Sequence, residues 1–71
     1  MRKFKVVLYD SDSKSFEEII EAQWCEIDDS YVLFYNIPKD AGIYGVPARF
    51  IVKAYINKWV TVEEIQDELN D

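Results

Sequence analysis

Cys25 is the only thiol in this sequence, and its neighbours argue against a nucleophilic role. A reactive cysteine needs a base beside it and a positive setting that lowers its pKa. Trp24 and Glu26 flank it instead, so Cys25 reads as a small, half-buried strand residue. Two adjacent carboxylate pairs, Asp28-Asp29 and Glu17-Glu18, have the residue types for acid–base or glycosidic chemistry. On a strand, however, adjacent residues face opposite sides, and turn formation and solvation account for both pairs better. Asp10 and Asp12 open like a calcium loop, but the glycine and closing glutamate of that pattern do not follow. The chain has no His, one Cys and one Met. That excludes an internal disulfide, a Cys/His metal site and any mechanism built on an imidazole. Gly-rich phosphate loops, GxSxG and HExxH are also missing. The expectation is a non-enzymatic protein with no catalytic residues, no cofactor and no metal.

Charge narrows the partners. Eight basic residues face fourteen acidic ones, for a net charge of -6. Phosphate neutralisation supplies most of the affinity for nucleic acid, so direct binding is disfavoured. A local face of Lys3, Lys5, Arg49, Lys53 and Lys58 with Tyr55 and Trp59 is the best stacking patch the chain could offer. The acids are clustered instead, at residues 10–29 and in the tail. Such clusters on a small rigid body can steer it toward a protein with a basic surface, while aromatic anchors hold the complex. Solubility alone would also account for a net charge of this size.

The elements that would position such groups must come from 71 residues, which allow one domain, residues 1–71. Half the residues are apolar (49%) and eleven carry aromatic rings, so the chain should fold. A domain this small encloses only about 60% of the surface its unfolded chain exposes. Eleven rings exceed what its core can take in, and a homodimer through the surplus is expected. No apolar run is long enough for a signal peptide or a membrane span, and a lone thiol suits a reducing compartment. The reading is cytoplasmic.

Residues 2–9 alternate as a strand, with Phe4, Val6 and Leu8 on one face. Asp10-Ser11-Asp12-Ser13 ends it as a turn. Residues 15–27 support two readings. Ser15 and Glu18 form a capping box, and Phe16, Ile19, Ile20, Trp24 and Ile27 fall on one helical stripe. Yet Ile20, Ala22 and Trp24 also alternate, and Asp28-Asp29-Ser30 joins residues 24–27 to 31–35 as a hairpin. Residues 37–47, IPKDAGIYGVP, hold every Pro and Gly of the chain. Long loops in small domains are disproportionately functional. Ile43 and Tyr44 sit at its centre, either as an exposed contact or as a lid on the core. Residues 48–62 are β-rich, with Phe50, Val52, Ala54 and Ile56 on the face expected to turn inward. Trp59-Val60-Thr61-Val62 can pair as a last short strand, or Thr61 with Glu64 caps a tail helix, and residues 63–70 suit a short helix docked by Ile65 and Leu69.

Two segments carry a resemblance. IIEA followed by EIDDSYVLFYN resembles a strand–acidic turn–strand unit of small acidic accessory proteins of bacteriophages and mobile elements. PARFIVKAYINKW is similar to the returning strand that closes their sheet. Together these cover residues 18–36 and 47–59. The resemblance implies a small antiparallel sheet and a protein that binds one host or rival protein.

The fold expected is mainly β: a small antiparallel sheet or SH3-like half-barrel of four or five strands with a short C-terminal helix. The alternative is α+β, with a helix near residues 16–26. The expected core is Phe4, Val6, Leu8, Ile20, Trp24, Val32, Phe34, Phe50, Val52 and Ile56. The expected function is a small acidic protein-binding module of the phage-inhibitor kind, directed at a nucleic-acid-handling protein. Ile43 and Tyr44 would form the anchor, and Asp28, Asp29, Glu63, Glu64, Asp67 and Glu68 the steering charges. The alternative is an assembly subunit that self-associates through its surplus aromatics.

Overall fold

The structure, a computed structural model, describes residues 1–10, 12 and 14–65. Six strands follow one another: β1 Arg2–Tyr9, β2 Ser15–Ala22, β3 Trp24–Ile27, β4 Tyr31–Asn36, β5 Phe50–Ile56 and β6 Val60–Ile65. They form two antiparallel three-stranded sheets, β2-β1-β6 and β3-β4-β5. The mainly β expectation holds, and the described residues contain no helix.

β1 is central in the first sheet because both neighbours find a full ladder on it. β2 pairs with it from Arg2↔Ala22 to Tyr9↔Ser15, and β6 from Lys3↔Ile65 to Leu8↔Val60. Asp10 makes the turn out of β1: its Oδ1 accepts the N–H groups of Asp12 and Lys14, at 2.9 and 3.0 Å. This ladder decides the ambiguous stretch. Ser15, Phe16, Glu18, Ile19 and Ile20 belong to a strand, not to a capped helix. Eight residues hold a helix poorly by themselves, while β1 offers each of them a partner.

The same argument corrects the C-terminal helix. Glu63, Glu64 and Ile65 complete β6 opposite Lys5, Phe4 and Lys3, so Thr61 and Glu64 cap nothing. The rest of the expected helix, including Leu69, lies outside the described residues.

β2 and β3 are one strand broken at Gln23, where the chain leaves the first sheet for the second. The corner is fully bonded. Gln23 N–H donates to Asn36 Oδ1 at 2.7 Å, its Oε1 accepts Ile37 N–H at 2.7 Å, and its carbonyl accepts from Arg2 at 3.1 Å. The corner also shifts the alternation by one residue. Ala22 points inward before it and Cys25, opposite Phe34, points inward after it. Trp24 is thereby turned outward, which corrects its expected place in the core.

Phe4, Val6, Ala22, Val32 and Phe34 are buried between the sheets, and Leu8, Ile20, Cys25, Tyr55, Val60 and Val62 pack against them. Phe34 lies at the centre, with its ring 5.2 Å from Phe4 and edge-on to Tyr55 at 6.1 Å. Register explains the remaining corrections. Val32 faces inward and pairs with Tyr55, so Tyr55 faces inward and its neighbour Ile56 outward. A bulge between the Phe34–Lys53 and Tyr35–Ile51 pairs shifts the phase again. Val52 and Ile56 are therefore exposed on the outer side, and Phe50 is 52% exposed beyond the edge of the core.

Two polar contacts close the open sides of this small core. Tyr55 donates its hydroxyl hydrogen to Glu18 across the two sheets. Arg2 holds Glu64 through two parallel bonds of 2.9 Å and lies over the Phe4 and Trp24 rings. Parallel bonds of this kind fix orientation as well as adding energy.

Candidate functional site

The long connection between β4 and β5 is built by its own backbone. Ala41 N–H donates to Pro38 O, Ile43 N–H to Asp40 O, and Val46 N–H to Ile43 O, at 2.9–3.1 Å. Gly42 and Gly45 have φ of 93° and 86°, a region that residues with a side chain rarely adopt. These turns raise the residues between the two glycines away from the sheets. Tyr44 is as exposed as a free side chain (102%), and Ile43 is 61% exposed. The tip is not a lid on the core.

The second surface is the outer face of the β3-β4-β5 sheet. Cross-strand pairing sets its members in rows: Trp24, Tyr35 and Ile51; Glu26, Leu33 and Ala54; Tyr31 and Ile56. Val52 joins them at the bulge. Among these apolar side chains sits one polar cluster. Tyr31 donates to Glu26 Oε2 at 2.7 Å, Arg49 donates to Glu26 Oε1 at 3.1 Å, and the Arg49 guanidinium lies 4.7 Å over the Tyr35 ring. The bonds from Tyr31 and then Arg49 hold the Glu26 carboxyl below its usual range, and the Glu26 carboxylate pushes the Tyr31 hydroxyl up to about 12.

The expected steering acids are not beside the tip. Asp28 and Asp29 form the β3–β4 turn, at the other end of β4 from the loop, about 20 Å away for six strand residues. Asp28 Oδ1 there accepts Asp29 N–H at 2.6 Å. Glu63 is on the outer face of the other sheet, 3.8 Å from Lys5. Glu64 is engaged by Arg2, whose hydrogen bonds lower its carboxyl pKa. Asp67 and Glu68 lie outside the described residues. Long-range steering does not need contiguity, so distance alone does not remove these acids from that role.

The basic stacking patch is dispersed. Lys3 and Lys5 point outward from the first sheet, Arg49 is committed to Glu26 and Tyr35, and Lys53 pairs with Phe34 on the inward side of β5. Cys25 is half-buried, and that burial raises its thiol pKa against the lowering influence of Arg2. Among the described residues there is no pocket and no cluster of three metal-ligating side chains. No described helix is long and apolar enough to cross a membrane. No protein-family model matches the chain, and neither a curated protein nor a solved structure does.

The outer sheet face is the surface that sequence reading missed. Its signal was present in Val52, Ala54 and Ile56, an apolar stripe expected to turn inward. What the stripe lacked was its register against β4.

Glu26, held first by Tyr31 and then by Arg49, and Glu64, held by Arg2, set an acid limit. Glu26 and Glu64 titrate below the unfolded value of about 4.3. Their contribution to stability is therefore full above that pH and is lost as the pH falls through their lower folded values. Melting temperature should decline on acidification below about pH 4.3, and the decline should be shallower in Arg2→Gln/Arg49→Gln. Parallel acid limbs for the double variant and the parent would show that these pairs do not set it.

Proposed function

We propose that this chain is a non-enzymatic protein-binding module in an SH3-like half-barrel, anchored on its partner by Ile43 and Tyr44. The strand orders β2-β1-β6 and β3-β4-β5, with one strand bent between the two sheets, support the SH3-like arrangement. The observation that carries the function is Tyr44. A bulky ring is held fully in water by three backbone turns and two positive-φ glycines, where core packing asks nothing of it. A small rigid tip of this kind enters a pocket with little loss of conformational entropy. The partner that suits the rest of the surface is a protein with a basic face, met by Asp28, Asp29 and Glu63 as they steer its approach. A nucleic-acid-handling enzyme has such a face, and occupying it would inhibit that enzyme.

The test is affinity capture with parent and Tyr44→Ala baits, followed by binding kinetics on the captured protein. Tyr44→Ala should weaken binding about thirtyfold or more, through faster dissociation, at an unchanged melting temperature. Asp28→Lys/Asp29→Lys should slow association and reduce its salt dependence. Equal capture by the parent and Tyr44→Ala would remove the anchor role. A loss of several kcal/mol of stability in the free Tyr44→Ala chain would make the tip part of the core instead.

A further inference from the structure

We infer that the outer face of the β3-β4-β5 sheet is an isologous interface, covered by a second copy of this chain. The first argument is area. Trp24 is 47%, Ile51 50% and Ile56 77% exposed, and Val52, Ala54, Leu33, Tyr31 and Tyr35 fill the space between them. Together these side chains expose on the order of 600 Å², counting a fully free ring as roughly 150–250 Å². That reaches the upper end of what a monomer's largest apolar patch usually shows, about 300–600 Å². With Arg49 and Glu26 the face comes to about 750 Å², close to the share of about 800 Å² that each partner contributes to a stable interface.

The second argument is charge. A twofold interface puts the same patch on both sides, so the patch must complement itself. The centre of this face carries one cation and one anion, Arg49 and Glu26, each partly exposed at 41% and 38% of its side chain, and Asp28 stands at the rim beside the Tyr31 hydroxyl. A twofold axis through the face can bring the Glu26 of each copy to the Arg49 of the other. Most of the other described acids lie elsewhere: Glu17, Glu21 and Glu63 on the outer face of the other sheet, Glu18 and Glu64 on its inner side, Asp10, Asp12 and Asp29 in turns, and Asp40 in the β4–β5 loop. Two copies can therefore approach through a face whose centre is balanced in charge. The inference stands apart from the Ile43–Tyr44 anchor, which is outside this face.

Sedimentation equilibrium tests it. The parent chain should run at twice its 8.4 kDa mass at micromolar concentration. Ile51→Lys/Ile56→Lys should raise the dimer dissociation constant at least about 100-fold. Arg49→Glu leaves two acids per face and should do the same, with partial rescue at high salt. Tyr44→Ala should leave the dimer unchanged, which separates this interface from the proposed partner site. A parent chain of 8.4 kDa at about 100 μM, far above a micromolar dissociation constant, overturns the inference. So does a dimer that survives both charge variants. Should those variants fail to fold, Trp24 fluorescence in Trp59→Phe decides: quenching by solute must fall as the chain is concentrated, and constant quenching overturns the interface.

Discussion

Phe34→Ala is expected to unfold the domain, with a loss of about 3–5 kcal/mol. Phe34 is fully buried, touches Phe4 at 5.2 Å and Tyr55 at 6.1 Å between ring centres, and is the largest side chain wholly enclosed by the two sheets. Removing its ring leaves a cavity that only four other buried residues, Phe4, Val6, Ala22 and Val32, could collapse to fill. A chain of this size has about 4–10 kcal/mol in total, and small domains lie toward the lower end. Urea titration followed by near-ultraviolet circular dichroism should show little native baseline for Phe34→Ala. Phe50→Ala is the control. Phe50 stands at the rim, about half exposed, so its loss should be well under that of Phe34. Equal losses at the two positions would mean that the core extends to the β5 edge.

Within single strands the pattern was legible. Phe4, Val6 and Leu8 alternate with Lys3, Lys5 and Val7, and both β1 and its inward face follow from that spacing. The hairpin around Asp28-Asp29-Ser30 was equally readable, because β-rich runs flank three turn formers. Relations between strands beyond that hairpin were not legible. Trp24 looked internal because it continues the alternation of Ile20 and Ala22, and nothing local reveals a corner at Gln23. That corner is held by Asn36, Ile37 and Arg2, which are distant in sequence. The face of β5 depended on pairing with Val32 and on one bulge, and a shift of one residue exchanges inside for outside.

For the site, the Pro/Gly content of residues 37–47 marked the loop, and its glycines do take the positive φ that raises Ile43 and Tyr44. The spread of the acids over three separate places was not visible, because charge clusters in sequence say nothing about which sheet face each member occupies. Glu63 and Glu64 are neighbours in the chain, yet one faces Lys5 on the outside and the other meets Arg2 over the Phe4 ring.

The corner at Gln23 gives the most direct test of this arrangement. Ala22→Leu is expected to cost about 3 kcal/mol, at the upper end for added volume in a packed core. Ala22 has no exposed surface and sits where β2 turns from one sheet to the other. Its backbone is fixed on both sides. It pairs with Arg2 on β1, and the next residue is tied to Asn36, Ile37 and Arg2. A leucine there cannot swing toward solvent, and making room for it would pull the corner bonds apart. Trp24→Ala is the contrasting change. Trp24 is far larger than Ala22, but it is half exposed on the outer face, and its main inward contact is the Arg2 guanidinium 5.6 Å from its ring. At a concentration where the chain is monomeric, its removal should cost about 1 kcal/mol, the scale of one exposed cation–π contact. Alternation carried straight through residue 23 would put both side chains in the core and make Trp24→Ala the costlier change, at about 3–5 kcal/mol. Thermal melts of the two variants at high dilution decide between these orders. If Trp24→Ala melts below Ala22→Leu, the strand does not change phase at Gln23, and the outer face loses its largest side chain.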